Sequence, residues 1–270
     1  MPHLRPTQPS ASDRLAQMAS SFRLPTLAQE LAPRLIEAGY SHVLEPLAEI
    51  FALEADDRSE RRVGRLLKEA DLPPGKTFDT LDLKRFPAKL VHRLKELAKG
   101  DFADNAENVL CFGLPGVGKT HAAAAIGYRL VEQGRRVLYA PTFRLVQNLL
   151  AAKRDLTLPR LLHKLDRFEV LILDDIGYVQ QSAEEIEVLF TLFAERYERR
   201  SMIITSNLVF SQWDQVFKNP MTTAAAIDRV VHHAAILEFN VASFRSKQAR
   251  ERLSPQDSQA TSASPETDPT

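Results

Sequence analysis

The sequence predicts an α/β fold, a parallel sheet flanked by helices, with a small all-α domain ahead of it. Three observations carry this. From Asn108 onward, short apolar runs alternate with amphipathic helical stretches. The first of those runs leads into a glycine-rich loop that opens an alanine-rich helix. Before residue 70 the apolar residues recur only at helical spacing, with no strand-like alternation of any length.

Taken in order, residues 1–12 are rich in Pro, Ser, Thr, Gln and Ala and read as a disordered tail. Residues 13–70 form the helical N-terminal domain, where Leu27, Leu31 and Leu35, then Leu44, Leu47, Ile50 and Phe51, mark apolar stripes. The segment 71–107 is a connector, DLPPGKTFDTLDL, followed by a helix from Pro87 to Lys99. The main domain spans 108–253. Its strands are VLCF (109–112), RVLYA (136–140), VLILDD (170–175), MIITSN (202–207) and AAILEF (234–239). Residues 254–270 read as a second disordered tail, mildly acidic through Asp257, Glu266 and Asp268.

A chain of 270 residues holds one large domain with a small appendage, and 44% apolar with 26% charged residues is the profile of a globular protein. The apolar runs are too short to cross a bilayer, and the N-terminus MPHLRPTQPSASDR lacks the apolar core of a secretory signal. A cytoplasmic location with no membrane partner is the expectation. The single cysteine, Cys111, excludes a disulfide framework and a cysteine-rich metal centre, and its place in VLCF marks it as a small buried hydrophobe. With 35 basic and 35 acidic residues, net charge says nothing about nucleic acid, so local clusters have to carry that question.

The segment GLPGVGKT fits the pattern G-x-x-x-x-G-K-[ST] through Gly113, Gly118, Lys119 and Thr120. Glycines let backbone N–H groups turn inward around phosphates, and a helix beginning near Lys119 aims its N-terminal dipole at the same anion. Lys119 reaches the β- and γ-phosphates of ATP in this reading, and the Thr120 hydroxyl ligates Mg²⁺. The candidate nucleotide contacts are Gly113, Pro115, Gly116, Val117, Gly118, Lys119, Thr120 and His121.

VLILDD is an apolar strand that ends in two carboxylates, which a buried strand has reason to do at the rim of a site. Asp174 is the candidate Mg²⁺ ligand, through water, and Asp175 the group that polarises an attacking water; solvated turn residues are the other reading. MIITSN ends in Asn207, whose amide could position that water or sense the γ-phosphate, or simply cap the next turn. Arg229, in AIDRVVHH, and Arg245, in SFRSKQ, are candidates to meet charge developing on a phosphoryl group in a neighbouring subunit, or are surface ion-pair partners. His232 and His233 have no third ligand at metal spacing and read as helix or interface residues.

These residues carry a family resemblance. GLPGVGKTHAAAAIG, VLILDDIGYV, LFAERYERRSMIITSNLVFSQWDQVF and AAAIDRVVHHAAILEFNVASFR resemble the IstB-like insertion-sequence transposition helper ATPases. These are AAA+ P-loop NTPases close to the helicase loader DnaC and the initiator DnaA. The likeness runs from about Asp13 to Arg250. It implies a five-stranded parallel sheet in the order 5-1-4-3-2. It further implies an ATPase that self-associates on double-stranded DNA, largely without sequence preference, and prepares it for a partner transposase. By position, Asn207 matches the sensor asparagine, Arg229 the arginine finger acting in trans and Arg245 the arginine of the lid helix. The family places Asp-Glu where this chain has Asp174-Asp175, and Ser-Tyr-Arg where this chain has Ser243-Phe244-Arg245. A DnaC-like replicative helicase loader is the alternative reading, and a weakly hydrolysing ATP switch a third.

Two basic patches are candidates for DNA. RSERRVGRLLKEA gathers Arg58, Arg61, Arg62 and Arg65 on neighbouring helix faces, suited to phosphate contact or to pairing with the acidic residues around them. Lys153 and Arg154 end the helix TFRLVQNLLAAKR, a region with which AAA+ rings commonly line their central path.

Overall fold

The computed structural model describes residues 9–176, 182–208, 230–241 and 243–244, and the chain divides into two compact units, 1–69 and 70–270. In the first unit, α1 (Ala11–Ser21) starts where Ser10 and Asp13 form a reciprocal capping box. The helix α2 (Pro25–Glu37) opens on a proline, which needs no N–H partner there. The long α3 (Leu44–Ala70) follows a single 3₁₀ turn at Ser41–Val43. Leu15, Ala32, Leu44 and Ala48 are buried together, with Leu31, Leu35, Leu47 and Phe51 packed against them. These are in part the residues of the apolar stripes, since period 3.6 puts them on facing sides.

The second unit begins with the connector, then α4 (Ala88–Leu97) and the short α5 (Asp101–Asp104). Five strands follow, β1 (Asn108–Phe112), β2 (Val137–Pro141), β3 (Val170–Asp174), β4 (Ser201–Ser206) and β5 (Ala234–Glu238), all paired in parallel. Their order is β2-β3-β4-β1-β5, the expected 5-1-4-3-2 read from the other edge. The crossover helices are α6 (Lys119–Glu132), α7 (Thr142–Arg154) with α8 (Leu158–Asp166), and α9 (Ala183–Arg196). Central strands β1 and β4 are buried at every position, so their middles read as apolar runs, as in a sheet covered on both faces, while the polar Asn108, Ser201, Thr205 and Ser206 are buried at their ends.

Small residues let α6 sit close to the sheet. Ala122 to Ala125 are completely buried, and a Cβ at Gly127 would lie 2.7 Å from Ile172 Cδ1 and 2.8 Å from Leu72 Cδ2. The helix that begins at the glycine-rich loop is therefore held between β3 and the connector. Tyr128 Oη donates to Pro73 O (3.3 Å), a further tie to the connector. Cys111 is fully buried in β1, and that burial pushes its thiol up to about 12. No helix among the described residues is long and apolar enough to cross a membrane.

Candidate nucleotide site

The parallel sheet ends its strands β1, β3 and β4 at one rim, and the loop 113–118 leaves β1 there to enter α6. This is where an open α/β sheet concentrates free backbone N–H groups and helix N-termini. Gly113 has φ +152°, and a Cβ there would lie 2.7 Å from the Phe239 carbonyl oxygen, so no other residue fits without moving β5. Gly113→Ala is expected to cost roughly 1–3 kcal/mol of stability. A urea unfolding midpoint unchanged by the substitution would mean the loop and β5 yield freely.

Lys119 is buried, and its Nζ donates to the carbonyls of Gly113 and Leu114 (2.9 Å for the latter), which folds the amine over the loop. One residue on, Thr120 Oγ1 donates to Asp174 Oδ1 at 2.8 Å. Asp174 accepts two more hydroxyls: Thr205 Oγ1 on Oδ1 (2.7 Å) and Tyr139 Oη on Oδ2 (2.7 Å). Burial, and then the hydrogen bond to Asp174, push the Tyr139 phenol well above its ordinary value, so it stays a donor. Thr142 Oγ1 fixes the Asp174 carbonyl from below (2.9 Å). Thr205 also accepts from the Asp175 N–H (2.8 Å), which holds Asp175 in a left-handed backbone, φ +63°.

A cavity of about 250 Å³ opens between the loop and this rim, lined by Pro115, Gly116, Lys119, Thr120, Asp175, Thr205 and Asn207. The Asn207 side-chain oxygen is buried there with no hydrogen-bond partner among the described residues. An orphaned buried acceptor or donor group at a cavity wall is a costly arrangement that a ligand or water can relieve.

On the other side of the loop lies a second cavity, about 290 Å³, walled by the connector residues Lys76, Thr80, Asp82, Arg85 and Phe86, by Gly116 to His121, and by Phe244. His121 turns its Nε2 to Thr77 O (3.0 Å) and Thr80 Oγ1 (3.1 Å), and burial lowers its pKa. Phe86 meets Phe239 edge-on, the Arg85 guanidinium lies 5.1 Å over the Phe244 ring, and Phe244 N donates to Gly116 O (2.9 Å). The phenylalanine that stands in Ser-Phe-Arg is thus seated between the loop and the connector.

Tyr139, Thr205, Arg85 and Phe86 were not among the residues singled out from the sequence. The one signal available for Tyr139 and Thr205 was a hydroxyl near the end of an otherwise apolar strand. Arg229 and Arg245 lie outside the described residues. The candidate DNA residues fall in two places. Arg58, Arg61, Arg62 and Arg65 are exposed on α3, but Arg58 pairs with Glu54 (2.6 Å) and stacks over Phe22, while Arg61 pairs with Glu54 and Asp57. Lys153, at the end of α7, pairs with Glu187 (2.7 Å), and Arg154 beside it is exposed.

The fold does bring a third potential ligand to His232 and His233: Glu198 joins them with ligand atoms within 4.8 Å of one another. A zinc ion about 2.1 Å from each ligand holds them about 3.4 Å apart. All three side chains are exposed, and the closest Glu198–His233 approach is 4.0 Å, so this is a loosely paired surface cluster.

A parallel sheet in this order, a glycine-rich loop opening a helix, and a threonine–aspartate pair at the strand ends define an AAA+ type P-loop protein. The chain belongs to the IstB-like ATP binding protein family, whose model matches residues 13–252. An insertion-sequence ATP-binding protein of Sinorhizobium fredii (strain NBRC 101917 / NGR234) is 44% identical over 242 residues, covering 88% of this chain and 81% of that relative. The insertion sequence IS21 ATP-binding protein of Pseudomonas aeruginosa is 37% identical over 237 residues, covering 88% of each chain. Among solved structures, domain III of the Thermotoga maritima replication initiation protein DnaA superposes with a TM-score of 0.53 at 17% identity, covering 68% of this chain and 74% of that one, a likeness of fold.

Proposed function

We propose that this protein is an ATPase that assembles on double-stranded DNA and recruits or stimulates a partner transposase. The observation that carries the ATPase part is the Thr120–Asp174 hydrogen bond, set beside a cavity that Lys119, Asp175 and the unpartnered Asn207 oxygen also face. A threonine hydroxyl has one proton and two lone pairs, so Thr120 can keep donating to Asp174 while offering a lone pair to a cation. The residues therefore fit a nucleoside triphosphate with a divalent ion. The loop N–H groups and Lys119 would bind the phosphates, and Thr120 and, through water, Asp174 would hold Mg²⁺, whose charge would neutralise the phosphate oxygens. Asp175 accepts the proton of a water that attacks the γ-phosphorus, with ADP as the leaving group, and Asn207 orients that water. Arg229, from a neighbouring subunit, and Arg245 stabilise the developing charge.

The transposition context rests on the family and on relatives that are insertion-sequence ATP-binding proteins. DNA contact through Lys153, Arg154 and the α3 arginines has weaker support, because Arg58, Arg61 and Lys153 already have carboxylate partners with which a phosphate must compete. The test is ATP turnover with and without duplex DNA, with assembly size followed in the same samples. Duplex-stimulated turnover together with ATP-dependent oligomers is the expected result. Stimulation by single strands alone supports the helicase-loader reading, and no response to DNA overturns the DNA-dependent part.

A further inference from the structure

Asp174 is held by three hydroxyls, and only that of Thr120, in the first turn of α6, belongs to the glycine-rich phosphate motif. The other two come from neighbouring strands on either side. Thr205 lies on β4 and Tyr139 on β2, with Pro141 of β2 in register with Asp174 of β3. Residues alternate faces along a strand, so Tyr139, two before Pro141, shares the face on which Asp174 stands. A tyrosine is long enough to cover that offset, and its hydroxyl ends 2.7 Å from Asp174 Oδ2. Thr120 and Thr205 both use Oδ1, so the phenol alone among these three holds the second oxygen.

A carboxylate on a short side chain turns about its last bond with little resistance. Two donors on one oxygen leave the plane of the group free to swing about that oxygen, whereas a third on the other oxygen fixes it. None of the three donors carries positive charge, so the arrangement orients the negative group without neutralising it. Oriented ligands backed by such partners bind metal ions more tightly, typically by 10–100-fold in affinity.

We propose that Tyr139 is a positioning residue for the divalent cation: its phenol locks the plane of Asp174 so that the carboxylate meets the ion that accompanies ATP. This rests on the ATP-site reading above and adds to it a residue from the strand β2, outside the loop and outside β3.

The test uses the full chain and a fluorescent ATP analogue, titrated at a series of Mg²⁺ concentrations and again in EDTA. For Tyr139→Phe, which removes the hydroxyl and keeps the ring, the Mg²⁺ concentration needed for half-maximal nucleotide affinity is expected to rise about 10-fold. Affinity in EDTA should stay within about twofold of the parent protein, and a merely structural role would lower it alongside. An unchanged or lower Mg²⁺ requirement overturns the proposal; a lower one would mean the phenol competes with the ion for Oδ2. Asp174→Asn, run in parallel, separates the two levels of argument. If it abolishes the Mg²⁺ dependence while Tyr139→Phe does not move it, only the positioning role falls. If Asp174→Asn also leaves the Mg²⁺ dependence intact, the site assignment itself fails.

Discussion

Replacing Lys119 with alanine is expected to weaken ATP binding about a hundredfold while the protein stays folded. A hydrogen bond to a charged group is worth roughly 1.5–3 kcal/mol when buried, and each 1.4 kcal/mol is a factor of ten in affinity. Lys119 is buried at the mouth of α6, where its charge adds to the helix dipole rather than being dissipated in water. The substitution should be tolerated structurally. The amine's partners, the carbonyls of Gly113 and Leu114, belong to a loop bordering the cavity, so water can take over their hydrogen bonds. Isothermal titration with ATP reads the first expectation and a thermal melt the second. Near-normal affinity in a folded variant would place the phosphates somewhere other than this loop.

The second large effect concerns stability. Arg196 lies at the end of α9 and is 1% exposed, which a charged side chain tolerates only when well paired; its two terminal nitrogens are engaged, while Nε has no partner among the described residues. Its guanidinium donates to Leu165 O (3.1 Å), Phe168 O (3.1 Å), Glu169 O (3.3 Å) and Ser201 O (2.9 Å). These carbonyls come from the end of α8, the turn that follows it and the start of β4. Leu165, Phe168 and Glu169 lie 27 to 31 residues before Arg196, and Ser201 lies five residues after it. The group remains charged at neutral pH even though burial lowers its pKa to about 10.

Arg196→Met keeps much of the volume and removes every donor. Leu165 O and Glu169 O keep backbone partners in the N–H groups of Phe168 and Ser201, but each carbonyl left unpaired costs roughly 1–3 kcal/mol, so a total loss of about 3–5 kcal/mol is expected once the charge's packing is also lost. That is a large share of a domain's stability, about 5–15 kcal/mol in all. Arg196→Lys should recover only part of it, because a single ammonium cannot span four acceptors. Guanidinium unfolding of the three proteins measures this. A loss below 1 kcal/mol for Arg196→Met would show that the carbonyls find other partners and that the arginine is dispensable.

Much of the architecture is legible in the amino-acid sequence. The five apolar runs fall on the five strands within a residue or two, and TFRLVQNLLAAKR coincides with α7. These features are local: period, strand length and the glycine-rich punctuation are written in consecutive residues. The string ERYERRS, by contrast, marked the family without disclosing a reason for Arg196. Its four acceptors include carbonyls as far as 31 residues away, and backbone acceptors leave no trace in sequence. The basic run on α3 was equally ambiguous. Which of its arginines pair with neighbouring carboxylates depends on rotamers that spacing alone does not choose.

The α/β class, the order of the elements and the nucleotide-type loop are readable from the chain alone, because each depends on adjacent residues. What surrounds Asp174 is set by folding. Its three hydroxyl partners stand 31 to 54 residues away and meet because the parallel register sets β2, β4 and the start of α6 against the end of β3. The same holds for the connector, which meets α6 through Leu72, Pro73 and Thr77 and brings Arg85 and Phe86 beside the loop. Contacts of that kind are fixed by the closing of the sheet and the burial of its faces, and no local pattern encodes them.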